Sequence, residues 1–259
     1  MHRFDLSSGV SVEVGFGEQA DTLQSVSNHV STHPNRPRVA TLHQIHSDIC
    51  IERVDADDKE FKADAHWSSS HGIALAVKTA DCLPVLGTIP SASKHEGPLL
   101  IAIHAGWRGV ASNIIGKSIQ HLRSSCTIQP SQFDWNQRLS NARFWIGPHI
   151  RMQSFKIKRD ALEPLQVACR EVGLCAEPKS SDKLSTSCES LPLTRSLGAN
   201  EFQFDLLSLA LRQFQLQGIR SSQVDISNAF DSVSDHRFHS HRRDREKAGR
   251  NISWITVCS

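Results

Sequence analysis

Residues 99–109, Leu-Leu-Ile-Ala-Ile-His-Ala-Gly-Trp-Arg-Gly, carry the chain from an all-apolar run directly into a polar, glycine-flanked turn. Such a run, bounded by turn residues, reads as a strand buried on both faces. His104 emerges at its end, where a side chain can face a site rather than the core. Beyond Gly109, Val110, Ile114, Ile115, Ile119 and Leu122 have helical spacing. A helix is therefore expected to start in the Gly-Trp-Arg-Gly turn, aiming its first backbone N–H groups at that site, a setting that suits an anion.

Upstream, Gly72-Ile-Ala-Leu-Ala-Val is a second such strand, and Thr79-Ala-Asp-Cys-Leu-Pro emerges after it. The polar, turn-rich stretch from Pro90 to Pro98 lies between the two runs, so they are expected to be linked by a strand returning through a surface connection. From Gly9 to Phe16, Val10, Val12, Val14 and Phe16 alternate as in a strand with one buried face. Ser25 to Arg38 shows no clear periodicity. His43-Gln-Ile-His-Ser-Asp then sits on or beside a strand end, before a short apolar run from Ile49 to Val54.

Downstream, helices are expected over Asp160–Val172 and over Phe204–Gln217, the latter closing at Gly218. The polar, Ser- and Pro-rich stretch from Glu177 to Gly198 reads as a long loop or lid. These elements predict an α+β fold: one domain over residues 1–259, a mixed β-sheet core flanked by helices, and a metal site at strand ends.

With 259 residues, 39% hydrophobic and 22% charged, the chain can bury a sizeable core, and no linker divides it. A formal charge of +2 argues against a nucleic-acid partner, although His236 to Arg250 is locally basic. No apolar run approaches the roughly 18 residues of a membrane span, and the N-terminus lacks a secretory apolar stretch, so a cytoplasmic location without a membrane partner is expected. Seven scattered cysteines (50, 82, 126, 169, 175, 188 and 258) with no Cys-x-x-Cys pair read as mostly reduced and passive. The chain has no tyrosine, so proton transfer falls to His, Cys, a carboxylate or a metal-bound water.

His46, Cys82 and His104 are too far apart for a local knuckle but can converge from strand ends. Two imidazoles and one thiolate with an open fourth position is the ligand count of a catalytic zinc. The same residues also permit a second arrangement, Cys82 as thiolate nucleophile with His104 or His46 as base. Arg108, Arg242, Arg243 and Arg250 form another constellation, since guanidinium groups suit bidentate binding of phosphate. Of Arg242 and Arg243, one is expected to face the site and the other a structural carboxylate.

The blocks Gln44-Ile-His46, Thr79-Ala-Asp-Cys-Leu-Pro84 and His104-Ala-Gly-Trp-Arg-Gly109 closely resemble the signatures of the YfiH-like family. Its members are known as purine nucleoside phosphorylases and were formerly catalogued as polyphenol oxidoreductase or laccase domains. The resemblance continues through Lys78, Ile146-Gly-Pro, Phe204-Asp-Leu, Gln213, Gly218, the block Phe238-His-Ser-His-Arg-Arg-Asp and Gly249-Arg250.

It implies that His46, Cys82 and His104 bind Zn2+, Cu2+ being less suited, and that Gln44 with Arg108, Arg242 and Arg243 contacts substrate or phosphate. The implied activity is phosphorolysis of adenosine, inosine, guanosine and methylthioadenosine, with some adenosine deamination, by a monomer or small homo-oligomer. Departures fall at Ser8-Gly9-Val10, His149, Ser154-Phe155-Lys156, Asn228-Ala229-Phe230 and His241, positions that bear on substrate range. A copper-dependent polyphenol oxidoreductase is the weaker alternative. Blue copper favours an axial Met, and Met1 and Met152 lie beside no ligand motif. A metal-stabilised binding protein would hold metal without turnover.

Overall fold

The computed structural model describes residues 1–6, 10–56, 61–90, 97–126, 135–174, 193–198 and 200–258, the side chain of Cys126 excepted. In chain order come β1 (His2–Asp5), β2 (Ser11–Phe16), α1 (Leu23–Val30), β3 (Arg38–Ala40), β4 (Cys50–Glu52), β5 (Ala65–Ser68) and β6 (Ile73–Thr79). Then follow β7 (Leu83–Ile89), β8 (Leu99–Ala105), α2 (Trp107–Ala111), α3 (Ile114–Cys126), α4 (Trp135–Ser140) and β9 (Arg143–Ile146). The remainder holds β10 (Lys156–Ile157), α5 (Arg159–Glu171), β11 (Thr194–Gly198), β12 (Glu201–Phe204), α6 (Leu206–Leu216), β13 (Val224–Asp225), α7 (His241–Asp244) and β14 (Asn251–Val257).

The strands form a five-stranded mixed sheet in the order β1-β2-β14-β6-β3 and a six-stranded one in the order β13-β9-β7-β8-β5-β4. A three-stranded sheet, β10-β12-β11, stands apart from both. The two large sheets stack: Val12, Val14, Leu75, Val77 and Ile255 of the first meet Leu86, Leu100, Ala102 and Trp145 of the second in a dry layer. The opposite face of the six-stranded sheet packs Val85, Ile101, Ile103 and Phe144 with residues of α3, α5 and α6. On the outer face of the five-stranded sheet, Val26 and Val30 of α1 cover Ala74, Ala76, Ile252 and Trp254. Because both faces of both sheets are covered, their strands carry near-continuous apolar runs rather than alternation.

The predicted α+β class and the flanking helices are therefore present, with two stacked sheets as the core. The 72–77 run, realised in β6, and the 99–103 run, realised in β8, lie in different sheets. Their linker turns at Asp81 into β7, which pairs antiparallel with β8 from Leu83↔Ala105 to Ile89↔Leu99. β2 is buried on both faces, not one, because α1 covers Glu13 while the second sheet covers Val12 and Val14. α1 itself lies where no periodicity was read, and a reciprocal Thr22–Ser25 capping box starts it.

The single helix expected after Gly106 is two. Asn113, at φ 60°, breaks it in the left-handed conformation that Asn tolerates. The buried amide of Gln213 on α6 donates to the last-turn carbonyl of α2, Val110 O, at 2.6 Å. The expected helices over Asp160–Val172 and Phe204–Gln217 correspond to α5 and α6, and Gly218 follows α6 at φ 82°. Of the expected 177–198 loop, residues 177–192 lie outside the described residues and Thr194–Gly198 is β11. Ser8, Gly9, most of the 90–98 connection, Cys175 and Cys188 also lie outside them. Cys50, Cys82, Cys169 and Cys258 form no disulfide among the described residues. Among the described residues no helix is long and apolar enough to cross a membrane.

Candidate metal centre

Strand register builds the site. β5 pairs antiparallel with β8, Ala65 opposite Ile103, so Asp64 and His104 face each other just beyond the pairing. Asp64, fully buried, accepts a 2.8 Å hydrogen bond from His104 Nδ1. It also accepts from the backbone N–H groups of Ile45, His46 and Ser47 and from the Ser47 hydroxyl. One carboxylate thus fixes the orientation of His104, so that Nε2 points away from it, and holds the loop that delivers His46. Cys82 arrives at the start of β7, beside the β8–α2 turn. One donor atom each from His46, Cys82 and His104 lie within 4.8 Å of one another, with the two imidazole rings nearly perpendicular at 82°.

The backbone bends to make this approach. His46 at φ 60° and Asp81 at φ 85° occupy the left-handed region that non-glycine residues visit rarely. Gly106, the first residue past β8, lies against all three: a Cβ there would sit 3.1 Å from His46 Cδ2, 3.2 Å from Cys82 Sγ and 3.7 Å from His104 Cε1. A side chain there would press on His46 and Cys82, which would have to give by a few tenths of an ångström.

Electrostatics favour the ionised ligand. Burial pushes the Cys82 thiol up, but charge and hydrogen bonding from His104, then His46, outweigh it and bring the thiol down to about 6. Burial likewise disfavours a charged His104, yet the Cys82 thiolate and Asp64 raise its pKa well above the usual imidazole value. Asp64 is held down at about 2, its burial opposed chiefly by hydrogen bonds from His104 and Ser47. Two imidazoles and a ready thiolate, half open to solvent, fit a borderline-soft divalent ion with a substrate-side position left free.

The triad opens into a cavity of about 780 Å3. Lys78, Arg108, Lys156, Lys158, Arg242 and Arg250 lie on its wall, against Asp81 and Asp160. The Arg108 guanidinium lies over the Trp107 ring, 4.5 Å from its centroid. Arg242 is anchored by its backbone N–H to Asp81 Oδ2. Gln44 also lines the cavity, but its amide makes a two-point bond to the backbone of Lys78, donating to the carbonyl and accepting from the N–H. It therefore pins the His46 loop to β6.

Arg243 is not among the cavity residues. Its guanidinium donates to the carbonyls of Ser232, Val233 and Phe238 and pairs with Asp244, which corrects its assignment as an anion ligand. The basic stretch 236–250 thus divides into structural arginines and cavity-facing ones. The expected anion site at a helix N-terminus reduces to the five-residue α2, whose contribution is the Arg108 side chain. Asp64, Asp81 and Lys78 escaped the residue-by-residue reading of charge. For Asp81 and Lys78 the signal was proximity to Cys82, whereas Asp64 had none until the sheet register was known.

Two stacked mixed sheets with a His/Cys/His convergence at the strand ends are the plan of a laccase-domain protein. The chain belongs to the family described as multi-copper polyphenol oxidoreductase laccase, whose model matches residues 10–258. It is similar to the purine nucleoside phosphorylase of Xylella fastidiosa strain 9a5c, 29% identical over 83% of this chain and 71% of that one. It is also similar to the purine nucleoside phosphorylase YfiH of Escherichia coli, 24% identical over 86% and 74%. Its fold is that of a Neisseria meningitidis protein of the family DUF152, with a TM-score of 0.70, 22% identity and 99% and 97% of the two chains covered. YlmD of Geobacillus stearothermophilus has the same fold, with a TM-score of 0.69, 20% identity and 97% and 92% covered.

Proposed function

We propose that this chain is a zinc-dependent purine nucleoside phosphorylase acting on adenosine, inosine, guanosine and methylthioadenosine, with adenosine deamination as a side reaction. The observation that carries the reading is that a His46/Cys82/His104 donor set and the guanidinium groups of Arg108, Arg242 and Arg250 share one cavity. The names of its relatives supply the substrate class. A zinc ion, when bound, supplies a Lewis acid for phosphate or for an attacking water.

The chain's own residues do the rest. Arg108, its plane held against Trp107, binds phosphate through paired N–H donors, and Arg242 and Arg250 offset the remaining charge. The oriented phosphate oxygen attacks C1′ of the ribose as the bond to the purine nitrogen breaks, its electrons leaving with the base. The proton that the departing purine takes up comes from a cavity side chain, the imidazole of His43 or His241 or the Asp160 carboxyl. Phe155, Lys156 and His241, where this chain departs from its family, line the same cavity and set which base fits.

Purified protein with its native metal is to be incubated with adenosine, with and without phosphate, and the products resolved by chromatography. Adenine and ribose 1-phosphate are expected as the larger flux, with inosine minor. If phosphate does not accelerate loss of adenosine and inosine is the sole product, the arginines are not an anion site and the protein is a deaminase.

A second reading, Cys82 as nucleophile, is favoured by its low thiol pKa beside His104. A thiol-trapping reagent separates the two. Adduct formation only after chelation marks Cys82 as a ligand, and adduct formation in the untreated enzyme marks it as a nucleophile. Cytoplasmic location and a monomer or small homo-oligomer complete the proposal.

A further inference from the structure

On the outer face of the five-stranded sheet, away from the dry layer between the sheets, a second set of metal-type donors converges. Val12 and Val14 of β2 point into the inter-sheet core, so alternation turns Glu13 the other way, under α1. His29, in the last turn of α1, and His33, just past it, are four residues apart and share the side that faces the strand. His33 is held there by its backbone N–H, which donates to Val30 O. One donor atom each from Glu13, His29 and His33 lie within 4.8 Å of one another.

His29 Nε2 stands 2.8 Å from one oxygen of the Glu13 carboxylate and His33 Nε2 2.9 Å from the other. Both imidazoles therefore turn the same nitrogen to a single carboxylate. His33 Nε2 is sealed from solvent and, despite its nearness, lacks hydrogen-bond alignment to the carboxylate. His29 Nε2 hydrogen-bonds the carboxylate, which leaves His33 Nε2 as the buried atom without a partner, and a cation among the three donors would satisfy it.

We propose that Glu13, His29 and His33 bind a divalent transition-metal ion, of which Zn2+ best matches two imidazoles and one carboxylate. Ligand bonds of about 2.0–2.2 Å in a tetrahedron need donor separations of ~3.4 Å, so the cluster opens by about half an ångström to take the ion. His29 is 37% exposed at its side chain, against 11% for Glu13 and 14% for His33, so a fourth, water-filled position opens beside His29. The ion would tie α1 to β2. The ligands lie in a different layer from the His46 triad, so this ion would take no part in substrate binding.

The test is a zinc titration of metal-stripped protein against a chromophoric chelator. Wild type is expected to take up two ions per chain and Cys82→Ser one. Adding Glu13→Gln and His33→Gln to Cys82→Ser is expected to weaken that remaining ion at least tenfold. In the wild-type background, Glu13→Gln is expected to leave the phosphorolysis rate unchanged. Should the double replacement unfold, which circular dichroism reports, Glu13→Gln alone is decisive because it keeps the side chain's size while removing its charge. A Cys82→Ser protein that takes up no zinc, or that holds its ion undiminished after Glu13→Gln, overturns the site.

Discussion

Asp64 accepts five hydrogen bonds within the fold, and each ends on a residue that delivers or neighbours a ligand. Converting it to Asn leaves an N–H2 group facing N–H donors, so Asp64→Asn is expected to weaken zinc 10- to 100-fold, the usual effect of losing a ligand's hydrogen-bond partner. Competition with a chelator checks it, and unchanged affinity would detach Asp64 from the site. Cys82→Ala and His104→Ala are each expected to lose zinc and activity together while keeping the native circular dichroism, because both ligands sit at strand ends. Stoichiometric zinc with normal turnover in either variant would mean the triad is misassigned. Arg108→Lys keeps the charge but loses the planar fork, so KM for phosphate should rise more than KM for the nucleoside. Equal effects on both would make Arg108 structural. The triad was legible in the sequence because each ligand sits in a distinctive motif. Asp64 was not, because a lone acid between two alanines has no spacing to recognise, and only the pairing of β5 with β8 sets it against His104.

Strands hidden by their own composition and helices hidden by their partners account for what was missed among the elements. β7 is expected from the sequence only as a returning strand without bounds; it is Leu83–Ile89, entirely buried between β8 and β9. α1 went unread because its inward face mixes Val26 and Val30 with His29, whose partner Glu13 lies on a distant strand. β8 and α6, with unbroken apolar or helical patterns, were legible. The break at Asn113 between α2 and α3 leaves Val110 O to a side chain over a hundred residues away, Gln213. Gln213→Met keeps the volume and removes the hydrogen bond to Val110 O, which should cost about 1–2 kcal/mol of stability. Since α2 carries Trp107 and Arg108, the same variant should raise KM for phosphate. Urea denaturation and steady-state kinetics report the two effects, and a change in stability alone would mean that α2 does not depend on this cap for its position.

Across the whole molecule, stability should depend on pH through two sealed histidines. Burial drives His149 down to about 4 and His66, which faces the inter-sheet layer opposite Ala102, down to about 3. Both are neutral in the fold, while in the unfolded chain they take up protons near the usual imidazole pKa of about 6.5. The unfolded state then binds more protons below about 6.5, so stability is full above that value and falls as pH drops towards 4, by at most ~1.4 kcal/mol per pH unit for each group. Urea midpoints at pH 7.5, 6 and 5 should decline, and His149→Gln should flatten the slope. An unchanged slope in that variant would place the acid sensitivity elsewhere.

β14 lies between β2 and β6, so a strand far downstream of β6 in the chain, Asn251–Val257 against Ile73–Thr79, fills the middle of the first sheet. While the chain is still on the ribosome, β2 and β6 are two unpaired edges with no neighbour to join them, and edges of this kind invite pairing with other chains. The six-stranded sheet needs no segment beyond β13, so β5, β7 and β8, which Asp64 and Cys82 immediately precede and His104 belongs to, can pair earlier. Arg242 and Arg250 emerge later, just ahead of β14. Vectorial synthesis therefore orders the assembly of the cavity wall: His46, Cys82 and His104 first, Arg242 and Arg250 only as β14 follows. A message truncated before codon 251 would yield a polypeptide with the whole His46/Cys82/His104 set, two sticky edges and a strong claim on chaperones.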